Sequence, residues 1–280
     1  MQRFLWTGAL WLGASPAVWA EESQLAFCSE HLNNLLGIII IVACIGINVY
    51  RAKGRQLFIR TLPALGSFKE AIGRATELGK PVLYVPGVAD IDDIQTLSSM
   101  PVLEHVAREV TAYDTPLLVP NCCSMVLTMT QEIVQNAYSA AGHPDTYQSD
   151  YVRYLSDEQF SFAAGVSGIM VRQQPGAIFY VGNFFSEALI LSETGNSTGA
   201  IQIAGTAQVS QLPFFVASCD YTLIGEELYA ASAYLSQDPL NVGSLKGQDL
   251  FKIIFTACLI VGCILVSLGY TDIIDLLATN

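Results

Sequence analysis

The sequence predicts an α/β domain, a mostly parallel sheet with helices on both faces, flanked by two transmembrane helices. Three observations carry this. Short continuous apolar runs such as Val82–Val85 and Ala177–Val181 alternate with stretches of helical spacing, as expected of strands covered on both faces. Two apolar segments, Leu32–Tyr50 and Leu250–Tyr270, approach the ~20 residues that cross a ~30 Å hydrocarbon core. Only 14% of the 280 residues are charged, against about a quarter in soluble domains.

Met1–Ala20 has a basic start at Arg3, an apolar core Phe4–Gly13 and a small-x-small end at Ala20 before Glu21-Glu22. That is the form of a secretory signal peptide. Residues 21–31 then form a short extracytoplasmic segment, 32–50 the first span, and 51–60 a basic linker with Arg51, Lys53, Arg55 and Arg60. Residues 61–249 are the folded domain, 250–270 the second span and 271–280 the tail. No Lys or Arg occurs in 21–34 or 271–280, whereas Lys246 and Lys252 flank the start of the second span. The positive-inside rule places 51–249 in the cytoplasm and both ends outside.

Within the domain, Leu65, Phe68, Ile72, Ala75 and Leu78 fall at helical spacing, and Gly79 with Pro81 ends that helix. Val82–Val85 is a buried strand. Asp90–Asp93 opens a loop, with helix over Leu103–Ala112 and Pro101 near its start. Pro116–Pro120 is a short strand and Ser124–Ala141 a long helix ended by Gly142 and Pro144. Tyr151–Leu155 reads as a strand. Ser156 is a suitable N-cap for a helix Asp157–Gln173. Ala177–Gly182 is the clearest strand, and a helix Ser186–Thr194 ends at Gly195. Ala200–Ala204 and Phe214–Ala217 are further strands, the last leading into a helix Thr222–Ser236.

Residues 60–249 carry eight Lys and Arg against twenty Asp and Glu, so the whole net charge of −12 lies there. Such a domain repels nucleic acid and anionic lipid. The seven cysteines include no CxxC pair, so neither a zinc site nor a disulfide framework is expected. The sequon at Asn196 carries no weight on the cytoplasmic side.

Three clusters invite a chemical reading. Asn121-Cys122-Cys123-Ser124 follows a strand and opens a helix, where α/β domains place ligands and nucleophiles. A nucleophile needs a base, and only His105 and His143 offer one, the latter in a Gly-His-Pro turn. Glu187, Glu193, Asp220, Glu226 and Glu227 belong to the last strand–helix units and converge if the sheet is parallel; adjacent Glu226 and Glu227 point different ways on a helix. Gly182-Asn183, Gly199 and Gly205 lie at strand ends, but there is no GxGxxG, GxxxxGK[ST] or GxSxG motif. The candidate ligand-facing residues are Asn121, Cys122, Gly182, Asn183, Asp220 and Glu226. No catalytic residue, metal ligand or cofactor is expected.

Ala71–Pro81 (AIGRATELGKP), Gly182–Gly195 (GNFFSEALILSETG), Gln202–Thr206 (QIAGT), Gly247–Asp249 (GQD) and the segment DYTLIGEELYAASAYLS starting at Asp220 resemble a prokaryotic family of membrane-anchored domains of unknown function. The resemblance covers most of 60–250. It implies a membrane-tethered α/β domain in a bacterial or archaeal inner membrane and supplies no catalytic residues. The expected function is a non-enzymatic scaffold or a subunit of a large oligomeric membrane complex, with membrane lipid and further copies or subunits as partners and no nucleic acid. Small residues in the second span (Ala257, Gly262, Ser267, Gly269) and the Ala-rich Leu228–Leu235 are the expected contact surfaces. The alternative is a tethered ligand- or nucleotide-sensing domain.

Overall fold

The structure, a computed structural model, describes residues 32–54, 63–142 and 144–268. The signal peptide, segment 21–31, the tail 271–280, His143 and most of the basic linker lie outside the described residues. The elements run α1 Leu32–Gly54, α2 Pro63–Glu77, β1 Val82–Gly87, α3 Ile94–Ala112, β2 Leu117–Asn121, α4 Ser124–Ala140, β3 Val152–Tyr154, α5 Gln159–Gln173 and β4 Ala177–Asn183. They continue with α6 Glu187–Thr198, β5 Ile201–Thr206, α7 Leu212–Ser218, β6 Tyr221–Ile224, α8 Glu226–Ser236 and α9 Pro239–Ser267. The chain divides into two units: Ala52–Leu245, and a second made of α1 up to Arg51 with the stretch from Lys246.

In the first unit the six strands pair in parallel, in the order β3-β2-β1-β4-β5-β6. From β1 the chain winds outward to β2 and β3, then returns to β4 beside β1 and winds the other way. Right-handed crossovers then put helices on opposite faces for the two halves. The side chains follow. Val82, Tyr84, Ala177, Phe179 and Val181 face α2, α3, α4 and α8. Leu83, Val85, Ile178 and Tyr180 face α5, α6 and α7. One residue apart along a strand is one face apart, so both faces need apolar residues and the runs are continuous. Phe68 of α2 meets Phe179 edge-on at 5.2 Å. Phe184 and Phe215 pack edge-on at 5.2 Å on the other face. Each fully buried phenylalanine contributes about 1.5–3 kcal/mol.

The central pair is pinched at its carboxyl end. Val85 pairs with Tyr180 but Gly87 with Asn183, so β4 holds an extra residue there. Gly87 has φ +95° and Gly182 φ +143°. A Cβ at Gly87 would overlap the Asn183 carbonyl oxygen, and one at Gly182 the Pro86 carbonyl oxygen. The Val88 N–H donates to Asn183 O at 3.0 Å. Both glycines are required by conformation and by space.

Five local expectations are corrected. Phe214–Ala217 is not a strand but lies inside α7, with Pro213 in its first turn, where proline's fixed φ suits a helix start. The last strand is Tyr221–Ile224, inside the stretch read as helix. The cap of α5 is Glu158 rather than Ser156, its carboxylate accepting from the Phe160 and Ser161 N–H groups. α6 runs past Gly195 to Thr198 and ends at Gly199, φ +69°; a Cβ at Gly195 would meet the Tyr180 hydroxyl at 2.6 Å. Pro101 sits within α3 rather than at its start.

Among the described residues one helix, α9, is long and apolar enough to cross a membrane, not two. It has 29 residues, and Ile253, Leu259, Ile260 and Ile264 are exposed along it. α1 is helical over the stretch read as the first span. Its uninterrupted apolar run extends only from Leu35 to Ile47, before Asn48, Arg51 and Lys53, short of the ~20 residues a crossing needs. Cys44 is buried on it, and a Cβ at Gly247 would come within 2.6 Å of the Ile45 Cα.

Replacing Gly182 by Ala forces a side chain into a left-handed backbone, which costs about 1–3 kcal/mol before the overlap is counted. Gly73 lies inside α2 with open space at its Cβ position, so Gly73→Ala is expected to stabilise by about 0.5–1 kcal/mol. Thermal unfolding of the two variants should therefore shift in opposite directions.

Candidate functional site

A parallel sheet gathers the carboxyl ends of its strands at one edge, where doubly wound folds bind ligands beside the point of strand reversal. Here that point lies between β1 and β4. The loops along this edge are Val88–Asp93 after β1, Cys122-Cys123 after β2, Leu155–Glu158 after β3, Phe184–Ser186 after β4, Ala207–Gln211 after β5 and Gly225 after β6. They carry Asp90, Asp92, Asp93, Asp157 and Glu158, with Glu187, Glu226 and Glu227 opening the helices that follow, and no Lys or Arg. An acidic rim of this kind disfavours phosphate and suits hydrogen-bond donors or cations.

The sequence candidates separate in the structure. Asn121 is fully buried at the end of β2. Its Nδ2 donates to Val119 O at 3.0 Å, and its Oδ1 accepts from the Thr130 hydroxyl at 3.1 Å. Both ends of the amide serve the fold. Cys122 is 3% exposed; burial first, then its neighbour Cys123, pushes its thiol up to about 12. Cys123 donates its S–H to Val88 O at 3.7 Å, and burial, then Asp90, raises it too. Thiols so shifted are poor nucleophiles. His105 lies in the middle of α3, where its charged neighbours are Glu109, Lys69 and Arg108 and burial lowers its pKa.

Gly182 forms the backbone pinch. Asn183 lies beside it, half-buried, with an Oδ1 that is buried and has no hydrogen-bond partner among the described residues. Asp93 Oδ2 and Gln211 Oε1 are in the same condition. These three oxygens come from the loops after β1 and β5 and from the last residue of β4, three neighbouring strands. Asp93 and Gln211 were not singled out from the sequence. Asp93 belongs to the run Asp90–Asp93, which signalled a loop, but nothing in the pattern marked Gln211.

Asp220 is not at this edge. Because β6 begins at Tyr221, Asp220 precedes the strand and sits at the amino edge. Its carboxylate accepts from the Gln202 N–H at 2.8 Å, and its own N–H donates to Gln202 O at 3.0 Å. It helps line a surface pocket of about 250 Å³ with Glu70, Ala71, Ile201 and Tyr221. Glu226 opens α8 at the carboxyl edge, exposed, at the end of the edge strand β6. Beside it Glu227 accepts from the Ile224 N–H at 3.1 Å, a first-turn contact favoured by the helix dipole.

Glu187 is fully buried. Its carboxylate accepts from the Phe185 N–H at 2.8 Å and from the Gln159 side-chain amide, tying the start of α5 to the start of α6. Among the described residues no group of three His, Cys, Asp or Glu side chains is placed to hold a metal ion.

Cys122 is expected to resist iodoacetamide at pH 7.5 in the folded chain and to react on unfolding, read by peptide mass mapping. Burial and then Asp220 likewise push Cys219 up to about 12. A thiol raised above its unfolded value of ~8.5 stabilises the fold below that pH and loses the contribution as pH rises toward the folded value. The melting temperature should therefore fall between about pH 9 and 12, and less steeply in Cys122→Ser/Cys219→Ser, whose hydroxyls do not titrate there.

No curated protein and no solved structure matches the chain. A match over residues 22–277 assigns it to a family: the chain belongs to the family described as Domain of unknown function (DUF6754).

Proposed function

We propose that this chain is a non-enzymatic membrane-anchored scaffold, a subunit of a large oligomeric assembly in a prokaryotic cytoplasmic membrane. The observation that carries the reading is α9. It starts in the α/β unit, where Val242 is buried, and its 29 residues run on beyond Lys246 with exposed isoleucine, leucine and valine side chains. Such a surface suits lipid tails. Lys246 and Lys252 at the start of α9, with no Lys or Arg in 271–280, support a cytoplasmic position for the α/β unit. The acidic rim and the high-pKa thiols support a role without covalent chemistry. Lipid and further copies or subunits are the partners, and nucleic acid is disfavoured by charge.

One observation favours a second reading, a tethered sensing domain. The oxygens of Asp93, Asn183 and Gln211 without a hydrogen-bond partner among the described residues are acceptors of the type that hold a hard cation or a donor-rich ligand. A thermal-shift panel of divalent cations, with Asp93→Asn as control, tests it: a gain of stability follows mass action if one of them binds the folded state.

For the scaffold the expected result is a chain that stays in the membrane pellet through alkaline carbonate extraction. In mild detergent its light-scattering mass should then be several times that of one chain. A carbonate-soluble chain, or a monodisperse monomer, would count against it.

A further inference from the structure

Two copies of a strongly acidic domain meet only where their charges do not. Between Gln159 and Cys219 the charged residues are Arg172, Glu187 and Glu193 alone, and Glu187 is buried. This stretch contains α5, α6 and α7, which pack side by side over one face of the sheet. The outer surface of that layer therefore carries one exposed cation and one exposed anion, with no net charge. It is also apolar: Phe160, Val171, Leu189, Ile190 and Val216 are between 43% and 61% exposed. The opposite layer differs. There α2, α3 and α4 carry Lys69, Arg74 and Arg108 against Glu70, Glu77, Glu104, Glu109 and Glu132, an acid-rich set.

The Ala-rich Leu228–Leu235 expected from the sequence to meet a neighbour is spent inside the fold. Leu228, Ala231, Ser232 and Ala233 are buried in α8, which packs on α3.

We infer that the outer face of α5, α6 and α7 is the surface through which one copy of this chain binds a second copy. The inference rests on the oligomeric reading and names its interface. Depletion of charge with exposed phenylalanine and aliphatic side chains is the composition of an interface centre. Neutrality selects the partner. A basic protein would be drawn to the acidic rim or the acid-rich layer. A lipid surface would call for Lys and Arg around the apolar residues, and this face has Arg172 alone. For a second acidic copy, a face without net charge lets apolar surface be buried without repulsion.

The test uses the full chain in detergent and the variant Leu189→Glu/Ile190→Glu, whose two added carboxylates would oppose their counterparts across the pair. The expected result is a wild type of at least two chains by light scattering and a variant reduced at least tenfold in association, with an unchanged melting temperature. Leu189→Lys/Ile190→Lys copies mixed with the Glu copies should restore the pair, which a folding defect would not allow. A wild-type oligomer that keeps its stoichiometry in the Glu variant overturns this surface while leaving the oligomeric reading intact. A wild-type monomer overturns both. A different protein that co-purifies with the wild type and is lost from the variant overturns the second-copy assignment.

Discussion

The pinch between β1 and β4 is the constraint on which the α/β unit depends. These are the two central strands, and the chain reverses its direction of winding between them. Gly87 and Gly182 let the two backbones close to a separation at which any Cβ would overlap a carbonyl oxygen. The extra residue in β4 then turns Asn183 so that its carbonyl receives the Val88 N–H. In dinucleotide-binding folds with this strand order, the same place carries a glycine-rich turn that admits a pyrophosphate. Here the glycines admit backbone instead. Because the loop after β1 is then filled with Asp90, Asp92 and Asp93, both space and charge act against an anion at this point.

Outward from the pinch, buried polar side chains hold the half of the sheet that contains β4, β5 and β6. The Tyr180 hydroxyl lies 2.9 Å from Leu191 O and 3.1 Å from Gln202 Oε1, and Gln202 Nε2 donates to Ser218 O at 3.0 Å. One chain of contacts thus joins β4, α6, β5 and the end of α7. Gln95, in the first turn of α3, reaches across the carboxyl edge to the Ala207 N–H at 2.7 Å and the Thr206 hydroxyl. A buried amide left unpaired costs about 1–3 kcal/mol. Each contact is therefore worth more as a condition on the arrangement of the elements than as net stabilisation. Burial raises the Tyr180 phenol well above its usual range, so it stays neutral and keeps its proton as a donor.

The architecture was legible because a sheet covered on both faces leaves continuous apolar runs, and β1, β2 and β4 have them. The edge was less legible. β6 is Tyr221–Ile224, with only Leu223 fully buried, and it has no long apolar run to announce it. Phe214–Ala217 has the run but follows Pro213, and it forms a helix because proline sits well in a first turn. That exchange decided the fate of Asp220. With the strand moved to the far side of it, Asp220 lies at the amino edge, and the convergence of carboxylates expected from the last three units does not occur. Asn121 was placed at the right edge, yet position alone did not reveal that both ends of its amide are used internally. Burial of a polar side chain depends on contacts across the chain, such as Thr130 for Asn121 and Gln159 for Glu187, which no local pattern encodes.

The surfaces of this chain divide by chemistry, and the division bears on function. The carboxyl edge is acidic, the outer face of α5, α6 and α7 is apolar and uncharged, and α9 beyond Lys246 is apolar almost throughout. Exposed phenylalanine, leucine and isoleucine cost solubility in water, and that cost is offset when a membrane or a second chain covers them. An acidic rim does the complementary work. In the proposed assembly it would keep neighbouring domains apart except along the neutral face, so that charge would select the direction of association and apolar area would supply its strength.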